Sequence, residues 1–233
     1  MHRIRGSALV LAAVVGIPAV AAAQGDPARP VAGGGISVPG WQGVIDASET
    51  AAGLTLDNAK LAKDGDALRV TTGPAVTYWN PANTATGDYT IKATFTEPKF
   101  MSLMNHPHPY GIVIAGNDLG SATQSYLYCA AYGSGTFILR GFGPEPFQMG
   151  GRRPVAHDAV HKAAGPGEPV TQEIAVSVKG DKVECAINGT VVASYPKAEL
   201  VAPGKLKSTD GAYGIRFAHN TEGMVTGLAM TKP

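Results

Sequence analysis

The chain has 233 residues, with 19 Lys and Arg against 18 Asp and Glu, 30 Gly, 17 Pro and two Cys. A formal charge of +1 excludes the broad basic footprint of a nucleic-acid binder or of a protein drawn to anionic lipid. Two cysteines exclude a disulfide-dense scaffold and a four-cysteine zinc site, and 44% apolar content argues for a folded chain.

The first residues read as an address. His2, Arg3 and Arg5 precede an apolar run over 8–15, Ile17-Pro18 breaks it, and Ala21-Ala22-Ala23 follows. That order predicts a secretory signal peptide over 1–23, cleaved before Gln24, and an exported product, periplasmic or extracellular. The apolar run is shorter than the ~20 residues that span a bilayer, and no later stretch offers a membrane span. Loss of Arg3 and Arg5 takes the net charge from +1 to −1. Residues 24–40 hold Pro27, Pro30, Pro39 and the run Gly33-Gly34-Gly35, and read as a flexible leader. One folded domain is then expected over 41–233.

Strand signals in that domain are short and frequent. Residues 60–70 read as a hairpin turning at Asp64-Gly65. Residues 89–96 alternate, with Tyr89, Ile91, Ala93 and Phe95 on one side. Further strands are expected over 111–115, 125–132 and 136–140. Ile174, Val176 and Val178 alternate before Gly180-Asp181 turns the chain into Val183, Cys185 and Ile187. Asn188-Gly189 is a strong hairpin signal, and 213–218 and 224–230 close the set. Helical periodicity is confined to 154–164, where Val155, Ala156, Ala159, Val160 and Ala163 share a face. Spacing of this kind implies an all-β, jelly-roll sandwich of two antiparallel sheets with at most one short helix.

The stretch Gly87-Asp88-Tyr89-Thr90-Ile91-Lys92-Ala93-Thr94-Phe95 resembles a core strand of concanavalin A-like sandwich domains. Residues 178–192 resemble their V-x-G-x-x-V-x-x-x-x-N-G-x-x-V hairpin pair, and Tyr213-Gly214-Ile215-Arg216-Phe217 their closing strand. In strand order the chain is most similar to the 3-keto-disaccharide hydrolase domain family. The resemblance implies a glycan-related role, including hydrolase or lyase chemistry on 3-keto sugars. The chain lacks the Glu-x-Asp-x-(x)-Glu strand of family-16 glucanases. Glu173 and Glu184, on either side of one hairpin, are the nearest substitute, and solvated strand residues are the plainer reading.

Cys129 shares strand parity with Leu127 and Ala131, and Cys185 with Val183 and Ile187, so both should face the core. They pair as a disulfide in an exported protein or stay as two buried thiols. The other face of 125–132 carries Tyr126, Tyr128 and Tyr132, with Arg140 on the next strand and Trp79 as a further wall residue. Such a face suits a sugar, with aromatic rings against the pyranose and Arg140 or Asn117 on its hydroxyls. Alternatively, these tyrosines serve only strand propensity.

The expected mature chain holds His106, His108, His157, His161 and His219. His106-Pro107-His108-Pro109 is a stiff loop, placed at the rim of the binding face. His157 and His161 are spaced i,i+4, and on a helix they would share a face. That suits a divalent metal given a third ligand, or a general base beside Arg140, Arg152 or Arg153. No motif requires a cofactor, and a divalent metal is the one these histidines admit. The leading expectation is an exported domain that binds a carbohydrate or glycoside on a concave sheet face. A glycoside hydrolase or lyase with catalytic His157, His161 and Arg140 is the alternative. A structural or adhesive module without a small ligand is the third, and the oligomeric state stays open.

Overall fold

The computed structural model describes residues 27–102 and 104–233. The signal peptide expected over 1–23 lies outside them. In spatial order the first sheet is β1 (Gly35–Ile36), β3 (Ala59–Asp64), β4 (Ala67–Thr72), β16 (Glu222–Thr231), β6 (Tyr89–Glu97), β12 (Val170–Lys179), β13 (Lys182–Ile187) and β14 (Thr190–Pro196). The second is β10 (Pro146–Met149), β9 (Thr136–Phe142), β8 (Ser125–Tyr132), β7 (Pro109–Asn117), β15 (Gly211–Phe217), β5 (Val76–Ala85) and β2 (Gln42–Ile45). A short β11 (Val155–Ala156) also pairs with β9. All pairings are antiparallel except β1 with β3. This is the all-β sandwich that the strand spacing predicts.

Alternation builds the core. In β6 the inward residues Tyr89, Ile91, Ala93 and Phe95 are buried, and Ile174, Val176 and Val178 of β12 lie beside them. Phe95, Tyr110 and Phe217 pack with ring centroids 5.8–6.0 Å apart between the sheets. Full burial of each such ring is worth roughly 1.5–3 kcal/mol. Cys129 of β8 and Cys185 of β13 are joined, with Cα atoms 6.1 Å apart, so the disulfide ties one sheet to the other. Asn188 and Gly189 have φ of 50° and 82°, as an Asn-Gly hairpin turn between β13 and β14 demands.

Two expectations need correction. Residues 154–164 are not a helix: Val155 and Ala156 pair with Phe137 and Thr136, and Lys162 bridges to Ser134. A short helix there faces a costly nucleus, whereas the exposed edge of β9 offers ready hydrogen bonds. Among the described residues the α-helices are α1 (Ala47–Ala51) and α2 (Lys197–Leu200), one more than the single short helix expected. The leader, so far as it is described, is seated on the sandwich. Gly35 and Ile36 pair with Lys60 and Leu61, and the Arg29 side chain donates to the Thr72 carbonyl at 2.9 Å. The glycine run serves close approach, because a Cβ on Gly34 would overlap the Asp57 carbonyl. Glu173 and Glu184 fit their plainer reading as part-exposed strand residues that do not face each other. Glu184 opposes Ser177, four residues along β12 from Glu173, a separation of roughly 13 Å that exceeds either glycosidase spacing. Among the described residues, no helix is long and apolar enough to cross a membrane.

Candidate functional site

The outer face of the second sheet carries its own apolar cluster. Strand β8 sends Leu127, Cys129 and Ala131 into the main core and Tyr126, Tyr128 and Ala130 outward, where they pack with Val113 and Ile138. Tyr132 and Phe142 flank this patch. The outward tyrosine face expected from the sequence exists, but Tyr126 at 1% and Tyr128 at 3% exposure are buried within it, and Tyr126 does not line the cleft above; Arg140 stands directly across from Tyr128 in the ladder.

Arg216 lies over that patch. Its guanidinium carbon sits 5.0 Å from the Tyr128 ring centroid and 5.1 Å from that of Phe142. One terminal nitrogen donates to Thr77 Oγ1 at 2.9 Å and to Tyr126 Oη at 3.2 Å. The other donates to Asp46 Oδ2 at 2.6 Å. Arginine keeps its charge when buried, and stacking plus a carboxylate partner is the environment that tolerates it. Burial pushes the Tyr126 hydroxyl up to about 12, while the nearby Arg216 charge opposes that rise.

Above Arg216 opens a cleft of about 320 Å³. Asp46 and Glu49 border one part of it, and Tyr128, Tyr132 and Arg140 another. Burial raises the Glu49 carboxyl above its ordinary range, although its Oε2 accepts the Ala75 N–H at 2.8 Å. His106, His108 and His219 also line it.

The histidines meet because of strand register. Strands β7 and β15 are antiparallel neighbours with Tyr110 opposite Phe217. Two further residues outward along each strand lead to His108 and His219, so the same register sets these rings side by side. The Ala218 N–H donates to the Pro109 carbonyl at 3.0 Å and continues the ladder. His106 lies two residues before His108. The ring centroids are 4.1 Å apart for His108 and His219, and 4.5 Å for His106 and His108. Burial holds the His108 pKa down at about 3, and the neighbouring His219 and His106 push the same way. The three side chains can each offer one ligand atom, all within 4.8 Å of one another.

Other expected site residues lie elsewhere. His157 and His161 do not line this cleft. They border a separate depression of about 500 Å³ with Gly135, Asp158 and Lys162. Without the helix they have separate partners: His157 Nδ1 accepts the Ala159 N–H at 3.1 Å, and His161 Nδ1 lies 2.8 Å from the Thr171 carbonyl. Among the described residues, no group of three metal-ligating side chains includes either. Trp79 is 6% exposed under the turn at Gly120 and forms no wall of the cleft. Asn117 uses its Nδ2 to donate to the Ala115 and Asp210 carbonyls at 3.0 and 2.9 Å, pinning a bulge in β7.

The sequence reading omits Asp46, Glu49, Arg216 and the role of His219. Arg216 had a signal, since it alternates with the inward Ile215 and Phe217 and must share the face of the outward tyrosines. Asp46 and Glu49 had none, because their place depends on β2 docking beside β5.

No family model matches the sequence, and no curated protein matches it. Solved structures do. A carbohydrate binding module, CBM66 from Bacillus subtilis, aligns with TM-score 0.54 and 7% identity over 84% of this chain and 98% of that one. A protein of unknown function with a galectin-like fold, also from Bacillus subtilis, aligns with TM-score 0.55 and 11% identity over 82% and 89%. An endo-beta-1,3-glucanase from Pyrococcus furiosus aligns with TM-score 0.51 and 12% identity over 79% and 85%. The fold is thus the concanavalin A-like sandwich. At these identities the likeness is one of fold, and the 3-keto-disaccharide hydrolase resemblance gains no narrower support.

Proposed function

We propose that the cleft over Arg216 binds a carbohydrate or glycoside met outside the cytoplasm. The observation that carries this reading is the meeting of Tyr132, Arg140, Asp46 and Glu49 around one cleft on an outer sheet face. The half-buried Tyr132 offers an aromatic surface for the apolar side of a sugar, and the charged groups suit its hydroxyls. The expected signal peptide and the disulfide fit export. Two of the similar folds belong to a carbohydrate binding module and a glucanase, which supports the ligand class. Calorimetry against a glycan panel at millimolar ligand tests it. Binding that weakens in Tyr132→Ala supports the reading, and silence across the panel sinks it.

A second reading makes the protein a glycoside hydrolase or lyase, 3-keto sugars among its substrates. Three imidazoles and a carboxyl of raised pKa border the cleft that also holds two arginines. Elimination beside a ketone requires a base to take the acidic C–H proton and a cation to hold the enolate. Turnover of 3-keto and unmodified glycosides is the measurement, and no consumption of either would remove this reading.

A further inference from the structure

We infer that His106, His108 and His219 hold one divalent transition-metal ion, of the zinc class, at the rim of the cleft. Three ligand atoms already lie within 4.8 Å of one another. Tetrahedral zinc with nitrogen ligands at 2.0–2.1 Å needs them roughly 3.4 Å apart. His106 and His219 are only half-buried, so modest side-chain rotation supplies that contraction.

A second observation is independent of the clustering. His108 is 8% exposed, and its Nε2 is buried with no hydrogen-bond partner. An unsatisfied buried polar atom costs on the order of 1–3 kcal/mol, and such atoms are rare unless a water or an ion serves them. Here the orphan nitrogen belongs to the residue flanked by the other two imidazoles. Pro107 and Pro109 stiffen the loop on either side of it, and the Ala218–Pro109 hydrogen bond fixes the opposite strand. The arrangement is organised before any ion arrives.

The donor chemistry selects the ion. Three imidazoles with no carboxylate in the group suit zinc, copper or nickel and offer nothing to calcium or magnesium, which take oxygen ligands. Three protein ligands also leave a fourth position. All three residues line the cleft, and His106 and His108 also border the small cavity beside Glu97. This inference concerns the ion alone and does not rest on sugar binding.

The test uses the mature chain without a histidine tag, stripped with chelator and titrated with zinc by calorimetry and elemental analysis. One zinc per chain is expected, with no heat from calcium. His219→Ala and His106→Ala should each weaken zinc binding by more than about 100-fold, since even outer partners of metal ligands cost 10–100-fold. The His157→Ala/His161→Ala double variant should bind as the parent does. Cobalt substitution should give visible absorption bands that His219→Ala abolishes. The inference is overturned if the parent chain takes up no stoichiometric zinc, or if that double variant loses the zinc while His219→Ala keeps it. The parent titration decides the matter even if a variant fails to fold.

Discussion

Arg216 donates to Asp46 at 2.6 Å although 170 positions separate them in sequence. That contact joins the closing strand β15 to the end of β2, and it holds the cleft floor to its wall. The Arg216 side chain is 8% exposed and that of Asp46 22%. Removing one partner of such a pair strands the other charge, at a cost of about 3–5 kcal/mol. Arg216→Leu also takes a donor from the Thr77 and Tyr126 hydroxyls, which keep only their own contact at 3.2 Å. It should lower stability by about 3 kcal/mol in urea titration. Arg216→Lys should recover only part, because an ammonium cannot reach three partners while stacking on Tyr128.

The Cys129–Cys185 bridge links the sheets through residues 56 positions apart. On the loop-entropy model, closing that loop is worth about 4 kcal/mol. The Cys129→Ala/Cys185→Ala variant should therefore unfold at much lower denaturant, and reductant should destabilise the parent but not the variant. Equal midpoints with and without reductant would show that the bridge contributes nothing.

Glu97 supplies a pH test. It is 7% exposed, its Oε2 has no partner, and burial raises its pKa to about 7, against a weak opposing hydrogen bond from Met101. Lys99, His106, His108 and Glu222 border the same small cavity, and Tyr110 is also near. The folded chain keeps this proton where the unfolded chain has already lost it above about pH 4.5. The contribution is thus full below pH 4.5 and is lost as pH rises to about 7. Glu97→Gln stays neutral throughout. Its melting temperature relative to the parent should climb between pH 4 and 8, by an amount equivalent to ~3 kcal/mol at most. A constant difference across that range would exclude a buried neutral Glu97.

The parts of the fold that alternation encodes were legible in the sequence. Tyr126, Tyr128 and Cys129 had readable faces because a period of two assigns every residue of a strand once one inward neighbour is known. Parity also sent both cysteines to the core, but left open whether they pair or stay as two buried thiols. Register was not legible. His108 and His219 are 111 positions apart, and they meet only because Tyr110 pairs with Phe217. The His157–His161 spacing looked stronger on paper, yet it required a helix that an edge strand displaced. Asp46 and Trp79 failed for a related reason: β2 and β5 carry no clean alternation, so neither could be placed on a face beforehand.

Four aromatic and charged residues near the outer sheet face now divide into floor, wall and support, and substitution should separate them. Tyr126 is 1% exposed, and its hydroxyl is shared by Thr77 and Arg216. Tyr126→Phe should cost about 1 kcal/mol of stability, the worth of a typical buried hydrogen bond, and leave glycan affinity within about twofold. Trp79 is buried away from the cleft, so Trp79→Ala should cost about 3 kcal/mol through the cavity it leaves, again with affinity intact in the folded fraction. Tyr132 and Arg140 are half-buried on the cleft and support little beneath them. Tyr132→Ala and Arg140→Ala should change stability by less than about 1 kcal/mol and each lower affinity about tenfold, the loss of one good contact. Paired melting curves and calorimetry on the four variants read both quantities. If affinity tracks stability across all four, the cleft is not where the ligand sits.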